Sequence, residues 1–317
     1  MAPTLESSKI AFIASNNYII FIVIRAPLSP PRIHTKRGVI VPGGGNMAAA
    51  IIGGLVAKGI DKQNVIVSEP WDVNREKMAA LGVRTTTSNA EAFAGADIAI
   101  LAVKPQVAKA VCNELGAAVS SASGRDTVPV VVSIAAGITL EALRKWLALD
   151  DGRTPHVVRV MPNTPALVGE GASGLFAAPD VTDDEKKLTE ALMASVSKAT
   201  EWVDKEELID VVTGLSGSGP AYFFAMVEHL ISSAVGLGLS PEQAKRLAAQ
   251  TCLGAGKMLV ESPEAPGQLR KNVTSPNGTT HAALQSFEAS GFQDIVDKAV
   301  KAATSRGEEL GKTLGNQ

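Results

Sequence analysis

Short, almost uninterrupted apolar runs punctuate the first two-thirds of the chain, and segments with helical spacing lie between them. Residues 9–13, 64–68, 96–103, 128–134 and 156–161 are such runs, and 172–178 and 200–203 read as two further strands. Runs that are apolar at nearly every position suit parallel strands covered on both faces. Helices are expected over 46–59, from the Ser88-Asn-Ala-Glu91 capping box, from Thr139 to Ala148, and from Thr182-Asp-Asp-Glu185 to about residue 197. The alternation predicts an α/β fold with a Rossmann-type, doubly wound sheet, whose ligands bind beyond the carboxyl ends of the strands.

After residue 204 no strand pattern remains. Residues 204–212 are helical, Leu215-Ser-Gly-Ser-Gly-Pro220 interrupts them, and 221–236 resume. Ser240-Pro-Glu-Gln243 caps a long helix through Glu261, and a last helix runs from Phe292 to about Leu314. The expected division is therefore an atypical N-terminal stretch, 1–42, a dinucleotide-binding domain, 43–181, and an all-helical domain, 182–317, that serves dimerisation and substrate binding. Wide apolar helix faces with few aromatic residues to fill a core point to self-association; an intramolecular bundle is the competing reading.

The first 42 residues hold two candidates for the first strand, 9–13 and 38–41. Only one can lie beside 64–68. Continuity into the following loop favours 38–41, which leaves 14–37 exposed and poorly ordered.

Composition narrows the function. The 317 residues are 45% hydrophobic and carry a formal net charge of −2, which gives no footprint for nucleic acid or an anionic membrane surface. The apolar run 18–24 is too short to span a membrane and lacks the flanks of a signal peptide. Cys112 and Cys252 lie far apart in helical patterns and read as reduced thiols of a cytoplasmic protein, and the four histidines show no metal spacing.

Two stretches carry candidate chemistry. Gly43-Gly-Gly45-Asn-Met-Ala48 fits the dinucleotide fingerprint G-x-G-x-x-A, followed by a helix and, about 20 residues on, by the next strand. Gly43, Gly44, Gly45, Asn46 and Met47 would cradle a pyrophosphate at that helix N-terminus. The second stretch is 272–281, with hydroxyls on Thr274, Ser275, Thr279 and Thr280 around Pro276-Asn277-Gly278. Pro276 fixes one angle, while Asn277 and Gly278 tolerate the left-handed region. Such a turn, backed by a helix N-terminus, makes a socket for a small carboxylate. A plain interhelical loop with Thr280 as N-cap is the alternative.

Taken together, Gly43-Gly-Gly-Asn-Met-Ala, Ala102-Val-Lys-Pro-Gln106, Met161-Pro-Asn-Thr-Pro165, Leu215-Ser-Gly-Ser-Gly-Pro-Ala-Tyr222 and Val273-Thr-Ser-Pro-Asn-Gly-Thr-Thr280 resemble pyrroline-5-carboxylate reductase over residues 43–310, with 9–13 in addition. The resemblance implies reduction of L-1-pyrroline-5-carboxylate by NAD(P)H, the last step of proline synthesis, in a homo-oligomer. It places the substrate on Ser275, Asn277, Gly278 and Thr279, with Thr280 on the ring nitrogen and Thr280 and Ser275 as catalytic candidates. Ala102, Val103, Lys104, Pro105, Ala135 and Ala136 line the nicotinamide side, and Asn89 is a further cofactor contact. Glu69 after the second strand favours NADH, whereas Ser68 and Arg75 suit a 2′-phosphate; the resemblance implies NADPH, with NADH possible. No metal is expected.

The chain departs from that pattern twice. Asn277 replaces a glycine, and 14–42 separate the first-strand pattern from Gly43, which reads as inserted sequence. Two other readings stay open: another Rossmann dehydrogenase of the β-hydroxyacid type, whose Asn-x-x-x-Lys helical face is not evident, and a catalytically impaired nucleotide-binding product of the insertion. His281 reads as a helix-surface histidine, Tyr222 as packing and Lys104 as a loop former.

Overall fold

Nine strands form one sheet in a computed structural model of the chain, which describes residues 10–15, 18–20, 46–93, 96–121 and 128–315. They are β1 (Ile10–Ser15), β2 (Tyr18–Ile20), β3 (Val65–Ser68), β4 (Arg84–Thr86), β5 (Ile98–Leu101), β6 (Val130–Ser133), β7 (Val157–Met161), β8 (Gly171–Ala177) and β9 (Ser197–Trp202). Their order is β4-β3-β1-β5-β6-β7-β8-β9, with β2 beside β1. From β4 to β7 all neighbours are parallel. β3, β5 and β6 are buried at every position, which is why their sequences lack polar alternation.

The central slot belongs to Ile10–Ser15, not to 38–41, which lies outside the described residues. Ile10 pairs with Val65 on one side and Ile98 on the other, so β1 lies between two parallel neighbours. A long connection to the next helix does not oppose this, because closure entropy grows slowly with loop length. The segment expected to be loose from residue 14 instead begins as strand, since β1 reaches Ser15 and β2 returns antiparallel to it. The sheet is also not wholly parallel. β8 runs antiparallel to β7, because residues 162–170 are too few to carry a crossover, and a 3-10 turn (Thr164–Val168) ending at Gly169 with φ 75° reverses the chain. β4, a short polar edge strand, has no signature in the sequence.

The register fixes where β2 sits. Ile13 faces Leu101 of β5 on one edge and Ile20 of β2 on the other. β2 therefore lies on the edge that β3 occupies lower down, where Phe12 faces Val67. It continues the line of β3 beyond Ser68.

The helices are α1 (Asn46–Ala57), α2 (Asp72–Ala79), α3 (Asn89–Phe93), α4 (Pro105–Ser121), α5 (Leu140–Trp146), α6 (Asp183–Met193), α7 (Leu208–Val212), α8 (Gly219–Gly236), α9 (Pro241–Glu261), α10 (Pro266–Asn272), α11 (Thr279–Ala289) and α12 (Phe292–Gly315). The capping boxes at Thr182–Glu185 and Ser240–Gln243 both form. The expected break at 215–220 is instead a π-helical turn (Thr213–Gly217) leading into α8. Its last residue lies close to Met161: a Cβ on Gly217 would stand 2.5 Å from the Met161 Cε, the movable end of a flexible side chain.

The chain divides into two compact units, residues 1–217 with 303–317, and residues 218–302. This boundary falls later than residue 182, because α6 and β9 complete the sheet layer before the helical unit begins. Within the first unit the end of α12 packs closely on the loop after β6 and on α7. A Cβ on Gly311 would lie 2.8 Å from the Gly137 carbonyl oxygen, and one on Gly307 would lie 3.0 Å from the Asp210 Oδ1. The second unit exposes large apolar side chains, among them Phe223, Phe224, Leu253 and Val260.

Candidate active site

Gly43, Gly44 and Gly45 lie outside the described residues. Asn46 is the first residue of α1, Met47 is half-buried and Ala48 is buried. α1 lies tight on the end of α6: a Cβ on Gly54 would stand 2.5 Å from the Ser195 carbonyl oxygen. After β5, Ala102 is half-buried, Val103 is buried, Lys104 is exposed, and Pro105 opens α4. After β6, Ala135 is buried and Ala136 half-buried, and Gly137 turns the chain at φ 76°.

At the end of β3 the polar groups are organised. The Ser68 hydroxyl donates to the Asn89 Oδ1 at 2.9 Å, and the Asn89 Nδ2 donates to Glu114 at 2.8 Å. Ser68 and Asn89 are both buried, so the end of β3 and the start of α3 are held together by side chains. Glu69 is fully buried. Its carboxylate accepts from the Trp71 N–H at 2.9 Å and from the Asn74 Nδ2 at 3.4 Å, so it faces the start of α2. The Arg75 guanidinium donates to the Glu69 carbonyl at 3.0 Å and pairs with Asp72. A hydroxyl, an amide and a guanidinium thus gather beyond the carboxyl end of β3, at the edge of a doubly wound sheet where a nucleotide ribose binds.

The turn before α11 belongs to the helical unit. The Gly278 N–H donates to the Ser275 carbonyl at 3.0 Å, and Asn277 adopts φ 60°, the one positive φ among the described non-glycine residues. Pro276 followed by a left-handed residue is the pattern of a type II turn. Asn277 thus does the work expected of a glycine. Gly278 does not share the left-handed region: it is extended, at φ −81° and ψ 177°, and serves as the N-cap of α11 in place of Thr280. A side chain there would be tight, because a Cβ would approach the Ser275 carbonyl oxygen to 3.1 Å. Thr279 and Thr280 open the helix, where backbone N–H groups have no carbonyl one turn back. Of the N–H groups expected to face a carboxylate, that of Gly278 closes the turn and that of Asn277 donates to the His281 Nδ1 at 3.1 Å. The Thr274 hydroxyl donates back to the Arg270 carbonyl at 2.6 Å.

One residue with a structural role around these motifs escaped the sequence reading. Asn163, buried, accepts from the Ala172 N–H at 2.9 Å and donates to the Ser216 carbonyl at 3.1 Å, so it joins the 161–165 and 215–222 motifs. An asparagine between two prolines is the signal that marks it. His281, read as a helix-surface histidine, lies in the first turn of α11, four residues after Asn277, and accepts the Asn277 N–H as well. No cluster of three or more His, Cys, Asp or Glu able to hold a metal occurs among the described residues.

The doubly wound sheet, with a glycine fingerprint leading into α1, defines a dinucleotide-binding fold of the Rossmann class. Residues 36–137 match the family model for F420-dependent NADP oxidoreductases, and 206–310 match the one for pyrroline-5-carboxylate reductase dimerisation. The chain is 46% identical over 274 residues to the pyrroline-5-carboxylate reductase of Pseudomonas aeruginosa, covering 86% of this chain and 96% of that one, and 40% identical to pyrroline-5-carboxylate reductase 2 of Bos taurus, covering 84% and 82%. Among solved structures, the enzyme from Coxiella burnetii superposes with a TM-score of 0.77 at 40% identity, over 84% of this chain and 95% of that one. The Plasmodium falciparum enzyme with NADP bound gives 0.72 at 32%, over 84% and 95%. The chain belongs to the pyrroline-5-carboxylate reductase family.

Proposed function

We propose that the chain reduces L-1-pyrroline-5-carboxylate to L-proline, with NADPH as the preferred cofactor and NADH as a second one, in the last step of proline synthesis. The observation that carries the reading is the turn at Ser275–Gly278, closed by Asn277 at φ 60° and running directly into the N-terminus of α11.

The substrate carboxylate is received by Ser275, Thr279 and the first turn of α11, where the helix dipole favours an anion. Asn277 and Gly278 give the turn its shape. Thr280 hydrogen-bonds the ring nitrogen and holds the imine carbon in line to be reduced. The nicotinamide cofactor supplies the hydride. Orientation and electrostatics are the protein's contribution, since an iminium carbon is already electrophilic. The Gly43–Met47 loop holds the pyrophosphate, Ser68, Asn89 and Arg75 the adenosine ribose and its 2′-phosphate, and Ala102, Val103, Lys104, Pro105, Ala135 and Ala136 the nicotinamide. Cofactor binding is assigned to the sheet unit, and substrate binding and self-association to the helices of 218–302.

A second copy of the chain is the partner we assign to the exposed apolar residues of α8 and α9. The described cysteines are free thiols, which suits the cytoplasm. Pyrroline-5-carboxylate-dependent oxidation of NADPH by the purified chain, with proline identified as product, tests the activity; no turnover overturns it. Light scattering at micromolar concentration tests the assembly; a monomer overturns it.

A further inference from the structure

An acid at the end of this strand of a dinucleotide-binding sheet ordinarily accepts from the ribose hydroxyls and so selects NADH. Glu69 stands at that place but is built differently. Its side chain is fully buried, and its carboxylate accepts from the Trp71 N–H and the Asn74 amide. Trp71 is the N-cap residue of α2 and offers no side-chain cap of its own. The carboxylate thus bonds the N–H of the N-cap residue and a side-chain amide of the first turn, and its charge lies at the positive end of that helix. The Glu69 N–H donates to the Thr86 carbonyl at 2.9 Å, which continues the pairing of β3 with β4. Its carbonyl accepts from the Arg75 guanidinium at 3.0 Å. One residue therefore ties the strand end, the start of α2 and the guanidinium together.

We infer that Glu69 is a positioning residue for NADPH selectivity: turned into α2, it sets the Arg75 guanidinium to receive a ribose 2′-phosphate and does not itself read the ribose. This rests on the reductase reading given above.

The test is the dissociation constant of NADPH and of NADH, measured by cofactor fluorescence on the full chain. Glu69→Ala is expected to weaken NADPH about tenfold while leaving NADH within about twofold, the scale of one charge-assisted hydrogen bond. Glu69→Gln keeps an oxygen for the Trp71 N–H and is expected to leave the ratio of the two constants near that of the unaltered chain. Arg75→Met is expected to repeat the NADPH-selective loss. A Glu69→Gln or Glu69→Ala chain that binds NADH more weakly and NADPH more tightly shows a carboxylate reading the ribose and overturns the inference. Equal loss of both cofactors in Glu69→Ala overturns it as well. If Glu69→Ala does not fold, Glu69→Gln and Arg75→Met decide the matter. An unaltered chain that binds neither cofactor overturns the reductase reading and the inference together; one that binds both, with a ratio no Glu69 or Arg75 variant changes, overturns the inference alone.

Discussion

The Asn277 backbone N–H donates to the Nδ1 of His281 at 3.1 Å, so the first turn of α11 reaches back to hold the turn that precedes it. The donor is fixed by chemistry, because a backbone N–H can only donate. Nδ1 is therefore the acceptor, and a neutral ring carries its proton on Nε2. His281→Ala removes that brace. The expected outcome is a KM for pyrroline-5-carboxylate raised about fivefold to tenfold, as one hydrogen bond is lost, with cofactor affinity unchanged. Steady-state kinetics alongside cofactor fluorescence checks it, and a loss confined to NADPH binding would count against it.

Thr280 opens α11 beside that turn and is half-buried. Thr280→Ala is expected to lower kcat/KM by the equivalent of about 1.5–3 kcal/mol, the worth of a hydrogen bond to a charged or developing-charge atom. NADPH binding is expected to stay intact. Unchanged kinetics in this variant would remove Thr280 from the mechanism.

Burial pushes the Asp210 carboxyl above its ordinary value; Arg159 opposes the rise, and Glu308 and Glu206 add to it. Its Oδ1 is buried without a hydrogen-bond partner. A raised carboxyl favours the protonated form in the fold. The stabilisation is then full below the ordinary value of 3.8 and is lost as pH rises through the elevated one. Asp210→Asn, which has no charge to bury, is expected to melt higher than the unaltered chain at neutral pH. The gap should close as pH falls towards the ordinary carboxylate range. Thermal unfolding across pH measures this, and a variant less stable at neutral pH would contradict it.

Because β2 continues the line of β3 beyond Ser68, it stands over the strand end assigned to the adenosine ribose. Removing residues 14–42 joins Ile13 directly to Gly43 and clears that edge. The shortened chain is expected to bind NADPH more tightly and to give a higher soluble yield, since an apolar run leaves with the segment. Equal affinity and yield in the two chains would show that the segment belongs to the native fold.

The sheet was legible wherever burial removes polar alternation, as in Val65–Ser68 and Val130–Ser133. The capping boxes at Thr182 and Ser240 fixed two helix starts because their hydrogen bonds are local. The choice of first strand was not legible, since what places Ile10–Ser15 is pairing with Val65 and Ile98, residues far off in the chain. The direction of β8 was missed for a related reason: it follows from the length of the connection, not from the strand's own residues. In the candidate site, Asn277 could be read as a left-handed residue from its type alone. The inward turn of Glu69 could not, because it depends on where α2 begins.

Gly307, Gly311 and Gly315 recur every fourth residue, so they share one face of α12. Gly311 is set against the Gly137 carbonyl, and Gly307 against Asp210. The end of the chain is thereby keyed like a notched shaft to the loop that carries Ala135 and Ala136. A single residue inserted between Gly307 and Gly311 would turn one notch by about 100° from the other and drive a side chain into backbone. The spacing of these glycines is fixed by what the last turns meet, however freely the solvent-facing residues beside them are exchanged.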